Sequence, residues 1–305
     1  MKPRPRQAGI ALVLVLWVSV LLTVIASSFI MERRTESMIV ANSAAIARAE
    51  AAANAGVMRA VHELYRGESA PEPWRRDGAR HEFSFDGIPV TVEIVDESAK
   101  IDINTAADPL LLGLLRASGL KEDEAAQLLD AIVDWRDPDS LKRPNGAEEG
   151  DYRAAGLAYK PANTAFQAIE ELQLVLGMRP DIYRRLAPLV TVFSRQPGVN
   201  ARVASREVLL AIPGTTAELV DQYIAQREAA REQKLPLPAF PQAGGFGIAE
   251  SLISTVRSRA RTEDGVVYMR EAAALLRPTP RKPVTFIAWR ESTAAPPEEA
   301  PKANP

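Results

Sequence analysis

From Ile10 to Met31 the chain carries no charged residue. At about 1.5 Å per residue, a helix over this run is just long enough to cross roughly 30 Å of hydrocarbon. Lys2, Arg4 and Arg6 precede it and argue for a cytoplasmic N-terminus, and Glu32, Arg33 and Arg34 after it weaken the asymmetry only slightly. Three kinds of segment share this pattern. A cleaved secretory signal has an apolar core of about 7–15 residues before a small-residue cut site. Ala26-Ser27-Ser28 could serve as that site, but the run is long for it. A plain signal anchor needs only the run. In the third, a short basic leader ends at Gly9, the apolar stretch starts at once at Ile10, and a cut between them leaves the helix on the mature chain.

The residues beyond the run favour the third kind. No turn or breaker separates it from Ser37 to Ala51, a segment rich in alanine, the strongest helix former. One continuous helix from Ile10 to about Tyr65 would be roughly 80 Å long. A simple anchor has no use for such a helix.

Several chemistries are excluded by composition. There is no cysteine, so thiol catalysis, cysteine zinc sites, disulfides and thiol lipidation are absent. The two histidines, His62 and His81, stand in no catalytic or metal motif. The formal net charge of −2 supplies no global basic field for nucleic acid. No enzymatic activity is expected.

After Gly67 the composition shifts. Glu68 to Arg80 reads as a loop. His81 to Val95 then reads as two strands around Asp86-Gly87, with period-2 alternation in the second. Leu252 to Arg261 and Val266 to Leu276 form a second hairpin pattern around Glu263-Asp264-Gly265, and Val284 to Arg290 one further strand. Between them, Ser98 to Gly247 is helical and holds an imperfect repeat. Ile101 to Leu111 aligns with Val199 to Leu209, each followed by a glycine turn (Ser118-Gly119, Pro213-Gly214) and a second helix, at Glu122 to Trp135 and Ala217 to Arg227. Thr105 or Ser205 could cap the first helix of its copy.

Carboxylates gather at Asp134, Asp137 and Asp139, then at Glu148, Glu149 and Asp151, with Pro144-Asn145-Gly146 making a turn between them. Such a loop suits Ca²⁺, which takes six to eight hard oxygen ligands in flexible geometry. The 12-residue EF-hand spacing is absent, and a solvated acidic loop is the alternative. Asp134, Asp137 and Asp139 are the first choices as ligands.

Taken in order, the Gly9 leader, the long helix, Ile101-Asp102-Ile103-Asn104-Thr105-Ala106, Asp134-Trp135-Arg136-Asp137, Tyr159-Lys160-Pro161-Ala162-Asn163 and Glu170 to Met178 resemble the minor pseudopilin K family of bacterial type II secretion. The resemblance covers Gly9 to Glu291. It implies an α+β fold: a pilin-like long N-terminal helix and antiparallel sheet with a large α-helical insertion. The implied layout is a leader at 1–9, a transmembrane segment at 10–31 and the rest of the helix at 32–66. The sheet occupies 67–97 and 248–292, the insertion 98–247 and a flexible tail 293–305. Prepilin peptidase would cut between Gly9 and Ile10 and methylate Ile10. Most pilins have Glu at the fifth mature position, thought to pair with a neighbour's N-terminal ammonium. Here that position is Leu14, as in the family member placed at the filament tip. The family is known to bind Ca²⁺ in the insertion. The implied function is export of folded proteins from the periplasm. The implied partners are other minor pseudopilins in a tip complex, the major pseudopilin and the bacterial inner membrane, crossed once with the body periplasmic. The competing function is a DNA-uptake pilin whose helical hairpins grip phosphates through backbone amides. Lys121-Glu122-Asp123-Glu124 opposes it, since this acidic helix start suits the helix dipole but repels phosphate.

Overall fold

The computed structural model describes residues 8–67, 73–233, 235–241, 244, 246–247, 251–277 and 283–292. Residues 1–7 of the expected leader and the expected tail at 293–305 lie outside them. The first element is helix α1 (Ala8–Arg66), 59 residues long. No proline interrupts it, and it stops at Gly67, whose φ of 62° is the left-handed geometry that ends helices.

Strands β1 (Asp77–Phe85) and β2 (Ile88–Asp96) follow, joined at Asp86 and Gly87, which have φ of 50° and 77°. Two consecutive positive φ values match the right-handed twist of a tight hairpin. β1 starts at Asp77, inside the stretch expected to be loop through Arg80. Its first residues gain ladder bonds from β2 across a register shift between Asp77 and Arg80, and those bonds override a polar composition. Next come β3 (Ile101–Asp102), α2 (Asp108–Ala117), α3 (Glu122–Arg136), α4 (Glu149–Ala154), α5 (Pro180–Leu186), β4 (Val190–Thr191), α6 (Arg206–Leu210) and α7 (Ala217–Glu232). Strands β5 (Ile253–Arg261), β6 (Val267–Leu276) and β7 (Val284–Glu291) end the described chain.

The sheet has the order β1-β2-β5-β6-β7 and is antiparallel throughout. The insertion leaves at the end of β2 and returns at the start of β5. Asp96 lies opposite Ser254, so about 150 residues can be accommodated without disturbing the ladder. Helix α1 lies over β2, β5 and β6. Its buried face, Ala49, Ala52, Ala53, Val57 and Ala60, repeats at helical spacing and packs on Val90, Val92, Ile94, Val256, Ala260 and Ala272. Alanine lets the backbones approach closely, and Gly56 takes this to the limit. A Cβ added there would sit 2.0 Å from Ser258 Oγ and 2.9 Å from Val90 Cγ1.

On the other face, Arg80, Glu93, Arg257, Glu271 and Arg290 stand opposite one another strand by strand, an alternating row of charge from edge to edge. Arg80 meets Glu93 at 2.8 Å, Arg257 meets Glu271 at 2.8 Å, and Arg290 meets Glu271 at 2.7 Å. A one-residue slip of any strand would break the row, so it reinforces register.

The insertion has its own core, built on Leu110, Leu114, Leu128, Trp135, Tyr152, Leu172, Leu209 and Tyr223. Both halves of the repeat are visible as α2–α3 and α6–α7. In the first, Arg136 donates to the carbonyls of Ile103 and Ala106; in the second, Arg227 donates to those of Ala201 and Ala204. The halves meet so closely that a Cβ on Gly113 would lie 2.1 Å from Ala211 O. Ser205 caps α6 by accepting from Val208 N. Thr105 does not cap α2, which starts three residues later with Pro109 in its first turn. Its hydroxyl instead donates to Gln196 O at 2.7 Å, an interaction across the fold that local spacing does not reveal. The short parallel pair β3–β4, unexpected from sequence, ties the start of the insertion to its middle.

Polar contacts join the two cores. Buried Glu97 accepts from Lys100 at 2.8 Å and from the Thr191 hydroxyl, Asn200 N donates to Ser98 O, and Arg290 reaches Glu170 at 3.2 Å. Burial alone would push the Glu97 carboxyl up. Lys100 and the hydroxyls of Thr191 and Thr255 outweigh it and hold the group below the usual range.

Candidate functional site

The apolar half of α1 stands clear of the body, with every residue from Leu12 to Phe29 exposed, and it is long and apolar enough to cross a membrane. Its hydroxyls donate back along the helix: Ser19 to Val15 O, Thr23 to Ser19 O and Ser28 to Val24 O, at 2.8, 2.8 and 3.0 Å. These bonds spare the hydrocarbon an unpaired polar group. Gly9 and Ile10 lie in the first turn of α1. Leu14 is 64% exposed on this free segment and offers no carboxylate to a neighbour.

The acidic segment runs from the end of α3 to the start of α4. Asp130 and Asp134, one turn apart on α3, are both buried. Asp134 accepts the amides of Arg143 (3.3 Å) and Ala147. Asp130 accepts from Asn145 N at 3.0 Å and faces Arg143 Nε at 3.0 Å. Gly146 is the closest point. A Cβ there would stand 1.9 Å from Asp134 Oδ2, so the turn requires glycine.

The six expected ligands divide unevenly. Asp151 is bound to Lys142 at 2.6 Å and to Glu148 N, which hold its carboxyl below the ordinary range. Glu149 pairs with Arg153 at 2.5 Å and faces Lys160 at 3.5 Å. Neither is brought into a group with the others. Asp134, Asp137, Asp139 and Glu148 do repel one another. Burial raises the Glu148 carboxyl, and Asp134, Asp137 and Asp139 add to the rise. Burial raises Asp137, and Asp139 adds to it. Asp134 rises by burial, opposed by its two amides. Asp137 Oδ1 and Glu148 Oε1 are each shielded from solvent with no hydrogen-bond partner. Asp139 uses one oxygen to accept Leu141 N at 2.8 Å. Among the described residues, no three carboxylate or imidazole groups stand together closely enough to hold a metal as placed. Sequence reasoning missed Asp130 and Arg143. The i, i+4 spacing of Asp130 and Asp134 before a Pro-Asn-Gly turn was the available signal.

The two hairpin turns, with Gly119 and Gly214 at φ of 87° and 79°, lead into helices whose first turns hold Glu122, Asp123 and Glu124, and Glu218. These carboxylates occupy the places where a phosphate would approach. Nothing here favours DNA binding.

A long helix with a free apolar half, seated by its other half on an antiparallel sheet, is the architecture of a pilin-like subunit. Residues 92–198 match the family model described as type II secretion system (T2SS), protein K. Type II secretion system protein K of Pseudomonas aeruginosa is 29% identical over 244 residues, covering 72% of this chain and 73% of that protein. The corresponding proteins of Pectobacterium carotovorum and Klebsiella pneumoniae are 30% and 29% identical, covering 61% and 68% of this chain and 63% and 70% of theirs. A chain in the crystal structure of the GspK-GspI-GspJ complex from the enterotoxigenic Escherichia coli type 2 secretion system superposes with a TM-score of 0.64 and 15% identity. The match covers 83% of this chain and 99% of that one. Together these matches support this chain as a minor pseudopilin of type II secretion, similar to protein K. As such it is a structural component of a secretion machine, and its one apolar N-terminal helix fits a single-pass inner-membrane anchor.

Proposed function

We propose that this subunit caps the pseudopilus tip together with other minor pseudopilins and so supports export of folded proteins from the periplasm. The observation that carries the reading is the pairing of Leu14, which lacks the carboxylate that would recruit the subunit beneath another, with the bulky insertion between β2 and β5. An insertion with a core of its own should obstruct stacking of a further subunit on top. The resemblance of the fold to a chain solved within a GspK-GspI-GspJ complex supports partners of the same kind. In this reading the N-terminus is cytoplasmic and the body periplasmic, as Lys2, Arg4 and Arg6 favour. Prepilin peptidase cuts between Gly9 and Ile10, and Ile10 is N-methylated. Mass spectrometry of the mature N-terminus tests this: methylated Ile10 is expected, and a start elsewhere overturns it. Imaging pseudopili with a label on the insertion tests the tip. Single terminal labels are expected, and labels spaced along the shaft refute the placement.

The acidic loop is proposed as a Ca²⁺ site. Repulsion among Asp134, Asp137, Asp139 and Glu148, with shielded unpartnered oxygens on Asp137 and Glu148, fits a hard cation that supplies the missing charge. Asp137, Asp139 and Glu148 would hold it by drawing closer together than they now stand. When bound, Ca²⁺ would neutralise the loop and staple α3 to α4, with no part in any reaction.

A further inference from the structure

We propose that Asp130 and Arg143, neither a cation ligand, form a clamp that sets the loop's shape before the cation arrives. The proposal rests on the loop being a Ca²⁺ site. Asp137 and Glu148 are far apart in sequence, and nothing of regular structure joins them. Something must hold the intervening chain if their oxygens are to face one place. Arg143, at the loop's middle, does this with both ends of its guanidinium. Nε meets Asp130 on α3 at 3.0 Å and Nη2 bonds Asp108 on α2. Asp130 turns its other oxygen to Asn145, accepting from the backbone N at 3.0 Å and the side-chain amide at 3.2 Å. Asp134 takes the alternate amides, those of Arg143 and Ala147. The returning limb is thus pinned at successive odd residues to two carboxylates on one helix face. These bonds leave Asp137 Oδ1 and Glu148 Oε1 unused. A planar guanidinium bridging two carboxylates is rigid in a way that a lysine cannot copy, and residues that orient metal ligands are typically worth about 10–100-fold in affinity.

Arg143→Gln separates this clamp from simple electrostatics, because the two predict opposite signs. Removing a positive charge beside a cation site should tighten Ca²⁺ binding if Arg143 acts only as a charge. If it positions the loop, binding weakens by about 10–100-fold, and Arg143→Lys, which keeps the charge and loses the fork, weakens it too. Full-length protein in detergent micelles, titrated with CaCl₂ by calorimetry, gives the comparison. Tighter binding by Arg143→Gln, or unchanged binding by Arg143→Lys, overturns the proposal. Hydrogen exchange in EGTA gives a measurement that needs no cation. The amides of Arg143, Asn145 and Ala147 should be protected in wild type and should exchange freely in Arg143→Gln; free exchange in wild type also overturns the clamp. If wild type shows no Ca²⁺ binding at all, the cation reading of the loop fails, and the clamp stands or falls as a structural device on the exchange data alone.

Discussion

The seat of α1 on the sheet and the acidic loop between α3 and α4 are both tightly packed, yet they handle their interactions in opposite ways. At the seat the charges are met from within, while the buried hydroxyls of Ser254 and Ser258 go without a partner. Alanines and Gly56 let the helix down onto β2 and β5, and on the far face the row from Arg80 to Arg290 alternates in sign. At the loop like charges face one another, carboxyls are raised, and shielded oxygens of Asp137 and Glu148 stay unpaired. A region whose charges pair across the strands explains itself as architecture. A region left electrically incomplete invites a ligand, because unpaired buried polar groups cost stability that only a partner restores.

The largest effect is expected where the seat is broken. Gly56→Val should lower stability by about 3 kcal/mol, since overpacking of a filled core is costly and the new Cβ would meet Ser258 Oγ at 2.0 Å. Thermal unfolding of the full chain in micelles checks it; a melting point within a degree of wild type would mean that the helix can lift off the sheet. Next comes the loop itself. Ca²⁺ at a hundred times its Kd should add roughly 2.7 kcal/mol, seen as a higher melting temperature than in EGTA. Identical curves would leave the loop a solvated surface.

The third effect lies at the junction of the cores. Glu97→Gln should cost about 2 kcal/mol at neutral pH, by removing one partner of a buried charged bond. Because the folded carboxyl is depressed, its stabilisation is present above the unfolded value and is lost as pH falls through the folded one. The gap between variant and wild type should therefore close in acid, and a gap independent of pH would show that the charge is irrelevant. The smallest effect has the opposite sign. Glu148 is raised in the fold, so its charge penalises stability at neutral pH, and the penalty disappears below the ordinary carboxylate range. Glu148→Gln in EGTA should melt higher than wild type by on the order of 1 °C near pH 7 and no higher at pH 4. A lower melting point at pH 7 would mean that the loop is not frustrated there.

Much of the fold was legible in the sequence. The long helix could be read from an uninterrupted run without proline, the Asp86-Gly87 hairpin from its turn residues and the alternation of its second strand, and the later hairpin from its Glu263-Asp264-Gly265 turn, because these signals are local. The start of β1 was hidden, since its polar residues pair only because β2 lies beside them. The candidate ligands could be named but not sorted. Nothing local distinguishes Asp151, taken by Lys142, from Asp137, which keeps a free oxygen.

By itself, then, the sequence determined the membrane-length anchor, the absence of a carboxylate at Leu14, the bracketing strands and the duplicated hairpin. Each depends on hydrophobic period, residue type or turn chemistry within a few neighbouring positions. Only the tertiary structure decided which carboxylates serve as anchors and which stay available. It also showed that Arg136 and Arg227 do the same work in the two copies, and that Arg143 ties the loop to α2 and α3. Those outcomes depend on which charge or carbonyl the fold brings within about 3 Å, a distance that hydrogen bonding demands and that spacing along the chain does not encode.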